Sequence, residues 1–142
     1  MLLDANLLIY ATDNSSPHHR AAAAWLTDLL DGAVRVALPW ATLGAFLRIT
    51  THPRIMTHPL APDRAWAYVE NWLTLDTVWV PPATERTALI LGRLITSAHV
   101  TANLMPDAML AAQAIEHGLV LATADTDFAR FPDLRWINPL HT

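Results

Sequence analysis

Four aspartates, far apart in the chain and each beside an element boundary, have the most chemistry to offer. Asp4, with Asn6, follows the apolar pair Leu2-Leu3. Asp107 follows Pro106 at the head of an Ala-rich stretch. Asp125 and Asp127 lie in Thr123-Ala124-Asp125-Thr126-Asp127-Phe128, just past a short apolar run. If those boundaries meet at one end of a sheet, the carboxylates share a small volume. Two carboxylates ~4 Å apart repel by about 4 kcal/mol at an effective dielectric near 20. Three such pairs cost on the order of a domain's whole stability. A cluster of this kind must hold protons at raised pKa or hold a cation. All-oxygen ligands without cysteine suit Mg²⁺ or Mn²⁺, which keep positions open for water and phosphate oxygens.

Taken singly, each acid has an ordinary explanation. Asp107 in a first helical turn is favourable with the helix dipole. Asp125 and Asp127 fit a turn and a helix cap. Asp4 is harder to explain away, because a carboxylate in an apolar strand needs a partner. As a set at the ends of strands, they point to function.

The elements that must position them alternate between strand and helix. Residues 1–10 read as a buried strand interrupted by Asp4 and Asn6, and 13–17 as a turn. Residues 18–30 read as a helix closed by Gly32, and 35–38 as a strand. A helix runs from Pro39 to about Thr51, carrying Leu43, Phe46 and Ile49. Residues 51–62 hold His52-Pro53, His58-Pro59 and Ala61-Pro62, so an irregular segment is expected there. Asp63 is the expected cap of a helix through Trp66, Val69 and Leu73. Residues 77–80 form a strand stopped by Pro81-Pro82, and 84–98 a helix. Residues 107–117 form another helix, closed at Gly118. Residues 119–123 and 134–137 supply the last two strands. This order predicts an α/β fold with a parallel sheet covered on both faces and chemistry at the carboxyl ends of the strands.

Composition narrows the function further. With 142 residues, one domain with its own core is expected. The chain is 53% hydrophobic and 15% charged, which excludes a disordered tail and favours a partner chain over the excess apolar surface. There are no cysteines, so disulfides, thiolate nucleophiles and Cys-based zinc sites are excluded and a reducing cytoplasm is expected. All nine basic residues are Arg, which removes catalytic lysine. A net charge of −4 argues against loose nucleic-acid binding over the whole surface but leaves room for a local basic groove. Four glycines make no phosphate loop. No apolar stretch is long enough to span a bilayer, and Asp4 interrupts any leader-like run, so no membrane anchor and no processing are expected.

The motifs also resemble a known family. Leu3-Asp4-Ala5-Asn6 is similar to the opening of PIN domains, Pro106-Asp107-Ala108 to their central motif, and Thr123 through Phe128 to their T-x-D-x-D-F segment. Phe46 through Arg54 and Phe131-Pro132 through Pro139-Leu140 resemble the VapC-type toxins of bacterial type II toxin–antitoxin systems. The resemblance covers essentially the whole chain. It implies a single Rossmann-like, three-layer α/β/α PIN domain over residues 1–142 with strand order 3-2-1-4-5. It implies a Mg²⁺- or Mn²⁺-dependent endoribonuclease, homodimeric, cytoplasmic and restrained by a cognate VapB-type antitoxin. Carried over by position, Asp4, Asp107 and Asp125 are the catalytic acids and, with Asp127, the metal ligands. Asn6 and Thr123 support them. One position departs from the family: Ala45 stands where many PIN nucleases have Glu, which removes an acid that a second metal ion would use.

Arg48 and Arg54 are candidate contacts to RNA or antitoxin; Arg54 is the better of the two, and for Arg48 a structural ion pair is the favoured alternative. The histidines lack ligand spacing and are expected at the surface or at caps, and the six tryptophans in the core or a dimer face. Two competing functions are an aspartyl phosphotransfer enzyme and a PIN domain that only binds RNA or antitoxin. The first needs a lysine this chain lacks. The second follows from the missing Glu, and Mn²⁺ binding separates it from the nuclease.

Overall fold

Each strand stops within two residues because a polar residue or a proline follows closely. In the computed structural model, which describes residues 1–141, β1 (Leu2–Leu3) ends at Asp4 and β2 (Val36–Ala37) just before Leu38-Pro39. β3 (Val78–Trp79) ends before Val80-Pro81, β4 (Leu121–Ala122) at Thr123, and β5 (Trp136–Ile137) at Asn138. All pairings are parallel, in the order β3-β2-β1-β4-β5. Leu2 stands opposite Ala37 on one side and Leu121 on the other, so β1 is the central strand. The ladder runs one step beyond the strands, where the Asp4 N–H donates to the Ala122 carbonyl at 3.0 Å. That bond sets Asp4 beside Thr123.

Because side chains alternate along a strand, Leu2 and Leu3 face opposite sides of the sheet. Each side has its own core. Leu2 and Leu121 pack against α5 (Glu85–Ser97) and α6 (Met105–Glu116) through Ile90, Leu94, Ala111 and Ala114. Leu3, Val36 and Ala122 pack against α1 (Ala5–Thr12), α2 (His19–Asp31), α3 (Trp40–Thr50) and α4 (Pro62–Leu73) through Leu7, Leu26, Phe46 and Val69. These are the three α/β/α layers that strand–helix alternation predicts. Alanine at 108, 111, 112 and 114, all fully buried, lets α6 approach the sheet closely. The far end of α6 is tied to α5 where the Thr84 and Thr87 hydroxyls donate to Glu116. Burial opposes ionisation of Glu116, but those two bonds, with His117 and Arg86 nearby, outweigh it and leave its pKa below the usual value.

Two local expectations are corrected. The opening strand does not reach Tyr10: after Leu3 the chain turns into α1, with Asp4 as its N-cap accepting the Ala5 N–H at 2.7 Å. An apolar run fits a buried strand and a buried helix equally, and here the capping aspartate decides for the helix. Asp63 is not a cap either. Ala61 is the extended residue, Pro62 takes the first helical position, and Asp63 sits in the first turn, where its charge suits the dipole. α6 begins at Met105, so Asp107 is in its first turn. The expected closures hold, with Gly32 after α2 and Gly118, at φ +64°, after α6.

Candidate active site

The Asp4 carboxylate is fastened on both oxygens. Oδ1 accepts the Ala5 N–H, while Oδ2 accepts the Thr123 hydroxyl at 2.8 Å and the Asn6 amide at 3.2 Å. The fully buried Thr123 hydroxyl in turn accepts from the Asn6 amide at 3.2 Å and the Asp125 N–H at 3.0 Å. Asn6 closes the ring by accepting the Ala124 N–H at 3.3 Å. Parallel pairing of β1 with β4 is what brings residues 4–6 against residues 123–125. Asp125 caps a 3₁₀ turn over residues 126–130 by accepting the Asp127 N–H at 2.8 Å. That turn carries Asp127 back toward α6.

There Asp107, Asp125 and Asp127 each offer a carboxylate oxygen, all within 4.8 Å of one another. Asp4, Asn6, Asp107 and Asp125 line one cavity of about 350 Å³. Four acids from three remote segments therefore meet at the carboxyl ends of β1 and its neighbour β4. Burial, and then the charges of Asp125, Asp4 and Asp127, push the Asp107 carboxyl from 3.8 up to about 6, against a smaller downward pull from Arg130. Burial also raises Asp4, with Asp125 adding to it, and the bonds from Thr123 and Ala5 only partly offset the rise. Such a site fits a divalent, oxygen-seeking cation. Each oxygen of Asp4 keeps lone-pair capacity beyond its hydrogen bonds, and the donors are carboxylates with no thiolate or imidazole among them.

Thr123→Val tests the support beneath the acids. It keeps the shape, removes the hydroxyl and strands three partners. A loss of about 1–3 kcal/mol in urea unfolding is expected, with Mn²⁺ affinity by calorimetry falling ~10–100-fold.

The other candidates lie elsewhere. Arg48 and Arg54 are exposed near residues 51–62 and do not line the acid cavity. Arg48 makes no ion pair among the described residues, contrary to that alternative. His18 is exposed and the His19 ring bonds the Tyr10 carbonyl, as expected of surface and cap residues. Trp72 is core, whereas Trp40 and Trp66 are exposed. Two features escaped the sequence reading. Arg130 places its Nη2 4.0 Å from Asp127 and donates from Nε to the Asp127 carbonyl at 3.2 Å. Its i,i+3 spacing after Asp127 was the available signal. The second is an apolar part of the cavity lining, with Ala41, Ala45 and Ile49 at i, i+4, i+8 on α3.

Comparison with known proteins agrees with this fold. Residues 1–134 match the family model described as PIN domain. The chain is 39% identical over 138 residues to Ribonuclease VapC37 of Mycobacterium tuberculosis, covering 97% of this chain and 96% of the relative. It is 41% identical over 141 residues to Ribonuclease VapC33 of Mycobacterium tuberculosis, covering 96% of each. The fold is similar to that of the VapBC2 structure from Rickettsia felis bound to a promoter DNA fragment, at TM-score 0.69 and 17% identity over 96% of each chain. It is similar too to the DNA-bound VapBC structure from Salmonella typhimurium, at TM-score 0.66 and 24% identity over 97% of this chain and 96% of the other.

Proposed function

The chain belongs to the PIN-domain family, and on that premise we propose that it is a VapC-type endoribonuclease, the toxin of a toxin–antitoxin pair. The observation that carries the reading is the meeting of Asp4, Asp107, Asp125 and Asp127, in a chain whose relatives are named ribonucleases. Asp107, Asp125 and Asp127 would hold a Mg²⁺ or Mn²⁺ ion, with Asp4, which lines the same cavity as Asp107 and Asp125, as the fourth candidate ligand. When bound, the ion supplies an activated water and neutralises charge on the phosphate. Thr123 and Asn6 hold the Asp4 carboxylate, and Thr123 holds the Asp125 backbone, so the two acids are positioned before any substrate binds. Without the ion, burial and the neighbouring acids hold the Asp107 carboxyl up at about 6, so a proton and the ion compete for it.

Its partners on this reading are single-stranded RNA and a VapB-type antitoxin, the latter supported by the VapC names of the relatives. A homodimer covers exposed apolar residues such as Leu89, which is 72% exposed. No helix among the described residues is long and apolar enough to cross a membrane. That, with the absence of cysteine, supports the cytoplasm as its place. The direct test is incubation of the purified protein with total RNA in Mg²⁺ or Mn²⁺, with and without EDTA. Cleavage in the metal lanes alone is expected. Cleavage that persists in EDTA overturns the metal-dependent reading, and Mn²⁺ binding without any cleavage favours a binding module.

Arg130 is the basic residue paired with the cluster, and its exposed guanidinium is placed to meet an RNA phosphate. Arg130→Ala is expected to move stability by no more than ~1 kcal/mol, because the pair is exposed. It is expected to reduce the slope of log affinity for RNA against log salt by about 0.7, the loss of one phosphate contact on a single strand. An unchanged slope in a salt titration assigns Arg130 to the surface alone.

A further inference from the structure

The lining of the cavity that holds the acids is of two unlike kinds, each about half of it. One carries Asp4, Asn6, Asp107 and Asp125. The other is aliphatic: Ile9 from α1, Ala41, Ala45 and Ile49 from α3, and Met109 and Leu110 from α6. Neutral polar groups around it are already committed. Both functions of the Asn6 amide are engaged with Asp4, Thr123 and Ala124, and the Thr42 hydroxyl donates to the Leu3 carbonyl at 2.7 Å. The aliphatic half therefore offers shape and apolar contact but no free neutral donor. Its volume of about 350 Å³ lies at the lower end of the ~300–1,000 Å³ found for small organic ligands. The small side chains at 41 and 45, one helical turn apart, are what leave the space open.

We propose that this aliphatic half receives the nucleobase adjoining the scissile phosphate, splayed out of single-stranded RNA. The inference rests on the ribonuclease reading. A phosphate held at the acids is covalently joined, through one sugar, to a flat and largely apolar base that must go somewhere within reach. The continuity of the two halves in one cavity provides that place, and the ring lies between aliphatic side chains as flipped bases do. With no free neutral side-chain donor in the wall, selection is by size more than by base edges. The bulk at position 45 thus determines which bases are accepted.

Two readouts test this. In the first, a randomised single-stranded RNA is cut in Mn²⁺ and the new ends are sequenced. One position flanking the cut is expected to show a base-size preference, and Ala45→Leu is expected to shift it toward pyrimidines, purine sites falling on the order of tenfold. The second is independent of cleavage. An RNA carrying 2-aminopurine is bound to Asp107→Asn, either alone or combined with Ala45→Leu. A fluorescence change on binding that Ala45→Leu removes is expected, with an unchanged thermal midpoint reporting that the fold is intact. Identical end profiles for the wild type and Ala45→Leu, or a fluorescence change indifferent to Ala45→Leu, overturn the base pocket. The same holds if Ala45→Leu leaves both RNA readouts unmoved but weakens binding of an antitoxin peptide, which makes the wall a peptide site. If the wild type binds RNA and never cuts it, the ribonuclease reading fails while the fluorescence arm still decides the pocket. A protein that binds no RNA sinks both.

Discussion

Asp107→Asn is expected to lower RNA cleavage by more than about 10²-fold, beyond the ~10–100-fold typical of residues that only support a metal ligand, and to leave the protein at least as stable as before. The two halves of that result come from one cause. Asp107 is half-buried among three other carboxylates, and its pKa of about 6 records how unwelcome its charge is, first through burial and then through their company. Taken at face value that rise costs about 3 kcal/mol; solvent over the half-buried carboxyl reduces it to on the order of 1 kcal/mol. Asparagine keeps the shape, removes the charge and relieves that cost, while discarding a proposed ligand. The sign follows from linkage. Between pH 3.8 and about 6 the folded protein holds a proton that the unfolded chain has released. Stability contributed there is full below pH 3.8 and is lost as pH rises through about 6. Urea unfolding at pH 4 should therefore show little difference between the two proteins, and at pH 7.5 Asp107→Asn should be the more stable. A cleavage rate near wild type for Asp107→Asn removes the residue from the reaction. Loss of activity accompanied by lost stability makes it structural.

The four acids were legible in the sequence because each stands at a boundary that apolar runs and Pro or Ala patterns mark from outside. Their meeting followed from strand–helix alternation, which forces parallel pairing and gathers carboxyl ends on one edge. The roles of Thr123 and Asn6 were legible only through family resemblance, since nothing in a lone threonine says that its hydroxyl will bridge residues 4 and 125. The opening helix was hidden because Leu7, Leu8 and Ile9 read as strand until Asp4 is known to cap. The aliphatic wall was hidden for a different reason. Alanine at 41 and 45 carries no signal of its own on a helix, and empty space is a property of three helices together. The departure at Ala45, noticed as a missing acid, is in the fold an opening.

Mn²⁺ added at a hundredfold excess over its Kd is expected to stabilise the protein by about 2.7 kcal/mol at pH 7.5, a rise of roughly 9 °C in the unfolding midpoint for a chain of this size. The folded state alone assembles the ligands: Asp107, Asp125 and Asp127 come from α6 and from the turn after β4, and their oxygens lie within 4.8 Å only because the sheet aligns those segments. Unfolding disperses them, so binding energy becomes folding energy. The same ion removes a repulsion that the fold otherwise bears, and protons compete with it for Asp107. As pH falls below about 6 that carboxyl takes up a proton, so the Mn²⁺-induced rise is expected to shrink steadily and to be small by pH 4.5. In Asp107→Asn it is expected to be small at every pH. Thermal unfolding in matched buffers, with EDTA as the reference, reads all three, and none depends on finding the right RNA. A rise that stays constant from pH 7.5 to 4.5, or that survives Asp107→Asn in full, places the ion away from these acids. In that case the electrostatic cost of the cluster is met by protons alone, and the chemistry must be sought without a cation at its centre.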